Sequence, residues 1–138
     1  MENILILDTS IGSDNKGDDI IMECTRKELF QLLKPNYELT LPTHVASFHW
    51  YQVWKNSSAY QRFSKCRLKF VGGSNIMVSN LFTHFAQWNI NMFNYQPFKG
   101  TIMVGVGAGA GAEKGSNWYT RYIYQHMLNR EYYHSARD

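Results

Sequence analysis

The sequence is poor in cysteine, has no long apolar run, and carries no block of like charges. Its two cysteines, Cys24 and Cys66, have neither CxxC nor Cys/His ligand spacing, which favours free thiols in a reducing compartment over a disulfide or a metal site. No apolar stretch approaches the roughly 20 residues that cross a bilayer, and no signal-peptide pattern is present. We therefore expect a cytoplasmic protein with no membrane span and no bound metal or cofactor.

The basic residues are scattered, although the net charge is +3 and the pI is near 8.9. Nucleic-acid-binding surfaces concentrate Lys and Arg on one face, so we expect no nucleic-acid partner. Apolar residues make up 44% of the 138 residues and aromatic residues 15%, which is enough for a folded core. We expect residues 1–138 to form a single domain.

Strand-like and helix-like segments alternate along the chain. Strands are predicted at residues 4–8, 37–41, 67–71, 101–106 and 132–136, and a helix at 18–33. Residues 43–64 are predicted to form one or two short helices. A further helix is predicted because apolar residues recur at helical spacing, namely Met77, Leu81, Phe85, Trp88 and Met92. A last helix is predicted after a cap at Ser116 or Asn117, with an apolar face formed by Tyr119, Ile123 and Met127.

This alternation predicts an α/β fold, with a doubly wound, mostly parallel five-stranded sheet and helices on both faces. In such sheets ligands bind beyond the carboxyl ends of the strands. Residues 9–19, 72–75, 105–115 and 137–138 all follow predicted strands. The sequence therefore predicts that these segments converge on one edge of the sheet.

The first of these segments is unusual in its charge. Gly12 and Gly17 have the GxxxxG spacing, but Asp18 and Asp19 stand where a phosphate-binding loop has Lys and Ser/Thr, so that loop is excluded. Two interpretations remain open. The acids could cap the helix and complement its dipole, each contributing about 1 kcal/mol, or they could serve catalysis as hydroxyl-binding or general-base carboxylates.

The glycine-rich segments after the later strands allow close approach of a ligand to the backbone. Residues 105–110 satisfy a loose G-x-G-x-x-[GA] pattern, but no helix opens at once, which argues against a dinucleotide site. The histidines have no metal-ligand spacing, and we expect His84 and His126 to lie on helix surfaces. His49 is the histidine to test as an acid or base. Arg137 could bind an anion or belong to a frayed tail.

Together these motifs resemble the polysaccharide pyruvyl transferase family. The residues that carry the resemblance are Asn15-x-Gly17-Asp18-Asp19, Gly72-Gly73-Ser74, Gly105-x-Gly107-Ala108-Gly109 and His134-Ser135-Ala136-Arg137-Asp138. Each motif alone is weak, and only their combination and order are specific. The resemblance implies transfer of the pyruvyl group of phosphoenolpyruvate to two hydroxyls of a sugar, with a glycan as acceptor.

The resemblance also implies an architecture and a set of site residues. The family has two Rossmann-like halves in a GT-B-like arrangement, and this chain resembles the N-terminal half. We therefore expect docking to a C-terminal half or to a second copy, and no turnover by the isolated chain. The candidate catalytic residues are Asp18 and Asp19, and the candidate substrate-binding residues are Asn15, Gly17, Gly73, Ser74, Gly107, Gly109 and Arg137.

Two other functions remain open on the sequence alone. One is a nucleotide-sugar glycosyltransferase half-domain of the same architecture. The other is a non-catalytic domain that binds a glycan or a protein partner. A carboxylate-rich corner suits sugar hydroxyls and repels phosphate, so in a pyruvyl transferase we expect residues 12–19 to face the acceptor rather than phosphoenolpyruvate.

Overall fold

The computed structural model describes residues 3–35, 37–45, 47–83, 87–109 and 111–137. Within these ranges the strands are β1 (Asn3–Asp8), β2 (Tyr37–Pro42), β3 (Leu68–Met77), β4 (Thr101–Ala108) and β5 (Ala136–Arg137). The helices are α1 (Lys16–Leu33), α2 (Trp50–Trp54), α3 (Ser58–Ser64) and α4 (Trp118–Met127). Short 3-10 turns lie at Gln96–Phe98 and Ala112–Lys114.

The strands form a single five-stranded sheet in the order β2-β1-β3-β4-β5, and every pair is parallel. At its centre, Leu5 of β1 lies opposite Leu39 of β2 and Lys69 of β3. The predicted doubly wound α/β sheet is confirmed. β2 lies on one side of β1, whereas β3, the next strand in the chain, lies on the other side of β1. The direction in which strands are added therefore reverses between β1 and β3.

Each face of the sheet carries its own core, because side chains alternate along the strands. On one face Ile4 and Ile6 pack with Met22 and Leu29 of α1. On the other, Leu5 and Leu7 belong to a larger cluster. That cluster includes Trp88, Ile123 and Met127, and partly buried side chains of α2 and α3 pack against it. Helices therefore cover both faces, as predicted.

The helix predicted over residues 77–92 is wrong. In the described parts of this segment, residues 78–83 and 87–92, the chain forms turns. Two asparagine side chains accept hydrogen bonds from backbone N–H groups two residues further along the chain. Asn80 Oδ1 accepts from Phe82 N, and Asn91 Oδ1 accepts from Phe93 N. These local bonds compete with a helix. Trp88 is buried in the core as expected, whereas Phe85 and His84 lie outside the described residues.

Side chains of α4 hold the same segment in place. Tyr124 Oη and Thr120 Oγ1 accept hydrogen bonds from the backbone N–H groups of Val78 (3.2 Å) and Leu81 (2.9 Å). Asn117 caps α4 by accepting from Thr120 N at 2.8 Å, which confirms the predicted cap. Two backbone donors just after β3 are thus satisfied by side chains of α4 rather than by a helix of the segment's own.

Strand boundaries also differ from the prediction, and the differences are largest in β3 and β5. β3 continues through Gly72-Gly73-Ser74-Asn75 to Met77, where a turn was expected, because residues beyond Gly73 still pair with β4. The fifth strand was expected at residues 132–136 but consists of Ala136 and Arg137, which pair with Val106 and Gly107 of β4. In both cases strand pairing lies further along the chain than predicted.

Candidate functional site

The carboxyl end of β1 lies beside β3 where the strand order reverses, which is where doubly wound sheets bind ligands. Thr9 follows β1 and is fully buried, and its Oγ1 donates to Gly72 O of β3 at 3.0 Å. Thr43 N, after β2, donates to Asp8 O at 3.3 Å. These bonds hold the ends of β1 and β2 beside each other and against the middle of β3.

The corner between β1 and α1 is held by hydrogen bonds within the loop. Asn15 is the N-cap residue, because its Oδ1 accepts from Gly17 N at 3.0 Å. The helix therefore begins at Lys16, two residues before the predicted start, and neither aspartate is the cap. A side chain at Gly17 would lie 3.1 Å from Asn15 Oδ1, so glycine leaves room for the capping amide.

The two candidate catalytic acids have different surroundings. Asp18 is only 1% exposed, and its Oδ2 accepts from Ser13 Oγ at 2.6 Å. Ser13 Oγ in turn accepts from Asn15 N at 3.2 Å. Asp19 is exposed beside it. Asp19 is thus the acid that is open to solvent, whereas Asp18 stabilises the loop through Ser13.

Gly72 and Gly73 lie inside β3, pressed against α1. A Cβ at Gly73 would come within 1.9 Å of Ile21 Cγ2, and one at Gly72 within 2.6 Å of Met22 Sδ. These glycines therefore allow α1 to pack closely on the sheet. The substrate-binding role of Gly73 stays a prediction, and its packing role has a direct structural reason.

Ser74 has an unusual backbone conformation at the reversal point. Its φ is +106°, a region that residues other than glycine rarely adopt and that costs about 1–3 kcal/mol. The side chain is buried, and its Oγ donates to Gln87 Oε1. Such strain is found most often at active sites and ligand contacts. The strain and the position of Ser74 support its candidacy for substrate contact.

Asn75, Gly107 and Arg137 form a second polar cluster across β3, β4 and β5. Gly107 lies opposite Arg137 in the sheet, and an Arg137 Nη donates to Asn75 Oδ1 at 3.3 Å. A Cβ at Gly107 would lie 2.2 Å from Asn75 Oδ1 and 3.3 Å from Arg137 Nε. Among the described residues no carboxylate pairs with Arg137. An exposed guanidinium of this kind is suited to bind an anion.

This geometry predicts that Gly107→Ala separates Asn75 from Arg137. The atoms nearest the new methyl group belong to these two exposed side chains, which can move, so we expect the free energy of unfolding to change by about 1 kcal/mol or less. The Arg137 Nε–H signal in NMR spectra should move. In the double variant Gly107→Ala, Asn75→Ala the space is restored, and the stability should return to the wild-type value. A Gly107→Ala variant with an unchanged Arg137 signal would contradict the cluster.

Gly109 closes the site at its other end. Its N–H donates to Met77 O at 2.6 Å, and a side chain there would come within 2.6 Å of Asn75 O. The loop after β4 is therefore folded onto the end of β3. A small cavity of about 120 Å³ lies beside this contact, lined by Met77, Val78, Ser79, Ala108, Ala112, Ser116 and Tyr124.

The other residues singled out in the sequence have mainly structural contacts. His134 Nδ1 accepts from Met103 N at 3.0 Å, and its Nε2 lies 2.8 Å from Asn129 O, so a neutral ring protonated at Nε2 satisfies both. His49 is the N-cap residue of α2 and stacks on Tyr51. Cys24 and Cys66 are free thiols, and Cys24 is exposed.

One charged cluster escaped the sequence analysis. Asp8 is buried at the end of β1, and its Oδ2 lies 2.6 Å from an Arg26 Nη. Its Oδ1 accepts from Ser10 N and Ser10 Oγ, and Arg26 Nε also pairs with Glu38 at 2.9 Å. Burial alone would raise the pKa of Asp8, but the hydrogen bonds from Ser10 and Arg26 outweigh it and lower the pKa. The sequence feature that could have indicated this cluster is Asp8 itself, a charged residue at the end of an apolar strand.

Two buried polar atoms beside the corner were also missed. Thr43 Oγ1 and His44 Nδ1 have no hydrogen-bond partner in the part of the chain that the structure describes. A side chain at Gly12 would lie 3.8 Å from His44 Cβ, so this pair borders the β1–α1 loop. Buried polar atoms normally have a partner. Thr43 and His44 therefore leave buried polar atoms unsatisfied by the described residues next to the β1–α1 loop.

A family model described as polysaccharide pyruvyl transferase matches residues 15–138. The chain belongs to the polysaccharide pyruvyl transferase family. The matched range contains all the motifs that suggested the resemblance, from Asn15 to Arg137. No curated protein and no solved structure matches the chain significantly.

Membership of this family gives the site a transferase context, and the polar residues lie at the edge where its fold binds ligands. The structure brings Asn15, Gly17, Asp18 and Asp19 together at the start of α1. Asn75, Gly107 and Arg137 meet at the far strands. Within the described ranges no helix is long and apolar enough to cross a membrane.

Proposed function

We propose that this polysaccharide pyruvyl transferase family member transfers the pyruvyl group of phosphoenolpyruvate to two hydroxyls of a sugar in a cell-surface glycan. The observation that carries the proposal is the exposed Arg137 guanidinium held by Asn75 across Gly107, without a carboxylate partner in the described chain. Phosphoenolpyruvate carries a carboxylate and a phosphate, both of which a guanidinium binds well.

The reaction joins the central carbon of the donor to two sugar oxygens and breaks its bond to the phosphate oxygen. The two hydroxyls lose two protons. One proton ends on the methylene carbon, which becomes a methyl group, and the other leaves with phosphate or solvent. Catalysis therefore requires a base near the hydroxyls and positive charge near the leaving phosphate.

The described residues fit these two requirements at separate places. Asp19 is exposed at the start of α1 and is our candidate for the base that accepts a hydroxyl proton, with Asp18 and Ser13 fixing the loop beside it. Arg137 is our candidate for binding the anionic donor. In this proposal the remaining contacts come from a second Rossmann-like half, because productive transfer needs both substrates in one geometry.

The donor site is tested by replacing Arg137 with glutamine. We expect Arg137→Gln to weaken phosphoenolpyruvate binding at least tenfold, because a charge-assisted contact to an anion contributes about 1.5–3 kcal/mol. NMR titration of the ¹⁵N-labelled chain with phosphoenolpyruvate measures the dissociation constant. In the wild type, the backbone amide signals of Asn75 and Gly107 should shift.

The matched control is Arg130→Gln, an exposed arginine whose guanidinium donates to Gln125 O away from the site. It should leave binding unchanged. Equal loss in both variants would show that only net charge matters, and would contradict the proposed site. Preferential binding of a nucleotide sugar such as UDP-glucose would favour the glycosyltransferase alternative instead.

The transfer itself is read out on the acceptor. Because we expect no turnover by the isolated chain, a protein that carries both Rossmann-like halves is incubated with a glycan and either phosphoenolpyruvate or UDP-glucose. The glycan mass is then measured. A mass increase equal to one pyruvate ketal, with phosphate released, supports the proposal. Transfer of a hexose from UDP-glucose would contradict the proposal. Binding of the glycan would also contradict it if the protein neither binds nor uses either donor.

A further inference from the structure

A group of aromatic side chains lies on the surface around α2. Trp50 and Trp54 are 60% and 83% exposed, and Tyr51 is exposed between them. No residue of α2 is buried, so these rings do not build the core. Together with Lys55, Met92 and Phe93 they form what we call the aromatic groove. Exposed aromatic patches of this kind usually mark a binding surface.

The rings stand nearly perpendicular to one another and border an open groove. The Trp50 and Trp54 centroids are 6.3 Å apart with planes at 79°, and Trp50 and Tyr51 are 6.1 Å apart at 85°. A cavity of about 450 Å³ lies against Trp50, Tyr51, Trp54 and Lys55. A second cavity of about 200 Å³ shares both tryptophans and continues to Val53, Met92 and Phe93. The groove therefore extends on both sides of the tryptophan pair.

The chemistry of the lining favours a saccharide. A pyranose ring presents apolar C–H groups on its faces and hydroxyls at its edges. The C–H groups carry partial positive charge and are attracted to the negative face of an aromatic ring. The larger cavity is lined by flat rings rather than branched aliphatic side chains, and its charged lining residue is the cation Lys55. This charge suits a neutral or acidic saccharide and disfavours a basic peptide.

The segment that borders the groove on one side is hydrogen-bonded to the carboxyl edge of the sheet. The segment that supplies Met92 and Phe93 is tied to the end of β2 by a hydrogen bond from Asn89 N to Thr43 O at 2.7 Å. The same segment reaches Ser74 on β3 through Gln87. A chain of sugar units bound in the groove would thus run towards the end of β2 and the reversal point.

We propose that the aromatic groove binds sugar units of an oligosaccharide through stacking on Trp50 and Trp54. These units lie away from the sugar that reacts, so the groove makes binding depend on the length of the glycan. That the bound oligosaccharide is the acceptor rests on the proposed function. That the groove binds a saccharide does not.

The test uses the whole chain and three hexasaccharides, namely laminarihexaose, cellohexaose and oligogalacturonate, without any donor. We expect at least one to shift the indole N–H signals of Trp50 and Trp54 in a saturable way. The signals of buried Trp88 and of Trp118 on α4 should stay in place. Trp54→Ala should weaken binding about tenfold, because stacking on one ring is lost.

Trp118→Ala is the matched control, since Trp118 is 72% exposed outside the groove. It should leave saccharide binding unchanged. Trp54→Ala should also keep the wild-type unfolding midpoint, because Trp54 is not packed in the core. A loss of binding in the Trp54 variant is then a loss of contact and not of fold.

Several results would overturn the proposal. They are the absence of binding by all three hexasaccharides, or binding that Trp54→Ala does not weaken. A dimer that Trp54→Ala dissociates would show that a second copy covers the groove. Binding to anionic phospholipid vesicles, with a blue shift of tryptophan emission lost in Trp54→Ala, would assign it to a lipid surface. Because no donor is present, these results are independent of phosphoenolpyruvate binding.

Discussion

Gly73→Ala is expected to lower the free energy of unfolding by about 3 kcal/mol, measured as a lower midpoint in urea. The added Cβ would lie 1.9 Å from Cγ2 and 2.9 Å from Cβ of Ile21, and the Ile21 Cβ cannot move without α1. The φ of +29° at Gly73 adds backbone strain for any other residue. Overpacking and strain therefore act together at one buried position.

Gly105→Ala separates these two causes. Gly105 has a φ of +63°, but nothing lies within 4 Å of an added Cβ, so only strain of about 1 kcal/mol is expected. In a Gly73→Ala background, Ile21→Ala should recover part of the lost stability by removing the clash. If Gly73→Ala proved as stable as Gly105→Ala, the close packing of α1 on β3 would be wrong.

The difference between Gly73 and Gly107 shows what glycine motifs reveal in sequence. At both positions the sequence predicts close approach of a ligand to the backbone, which stays a prediction, and the structure places other parts of the chain close to both. At Gly73 the neighbour is a helix, whereas at Gly107 it is a pair of exposed polar side chains. The neighbour is supplied by residues far away in the chain, so the motif alone cannot distinguish packing from a binding site.

The sheet was predictable because its central strands are apolar runs bounded by polar turns. β1 is buried on both faces and reads as a nearly continuous apolar segment, typical of a parallel strand. The alternation with helices then fixed the parallel, doubly wound arrangement. The exact strand order and the reversal between β1 and β3 required the structure.

The segment after β3 could not be predicted from apolar spacing. Its apolar residues occur at helical intervals, but Asn80 and Asn91 form local turns. Tyr119 Oη, on α4, accepts from Met92 N at 3.0 Å. Tertiary hydrogen bonds from a helix more than twenty residues away therefore decide this region. The same folding brings Met92 and Phe93 against Trp50 and Trp54.

The Asp8–Arg26 pair was missed for a related reason. The sequence shows a charged residue at the end of a strand, but its partner lies 18 positions further along, in the middle of a helix. Arg26 also reaches Glu38 of β2, so one guanidinium joins the first strand, the first helix and the second strand. The pair holds the first βαβ unit together beneath the corner that carries Asp18 and Asp19.

Asp8→Ala is therefore expected to lower the free energy of unfolding by about 3 kcal/mol near pH 7, by leaving Arg26 and Ser10 without their acceptor. Arg26 is 31% exposed, which places the cost at the low end for a buried pair. Because the pKa of Asp8 is lowered on folding, its contribution is complete above the unfolded pKa of about 3.9. It is lost as the pH falls through the lower folded pKa.

Urea unfolding of the wild type and of Asp8→Ala between pH 7 and pH 3 measures this difference. It should be largest near neutrality and should shrink at the acid end. Asp14→Asn, at an exposed acid of the same loop, is the control and should change stability by about 0.5 kcal/mol or less. In a double-mutant cycle with Arg26→Met, the two losses should be strongly non-additive, because each removes the same pair. Additive losses would mean that Asp8 stabilises the corner through Ser10 alone.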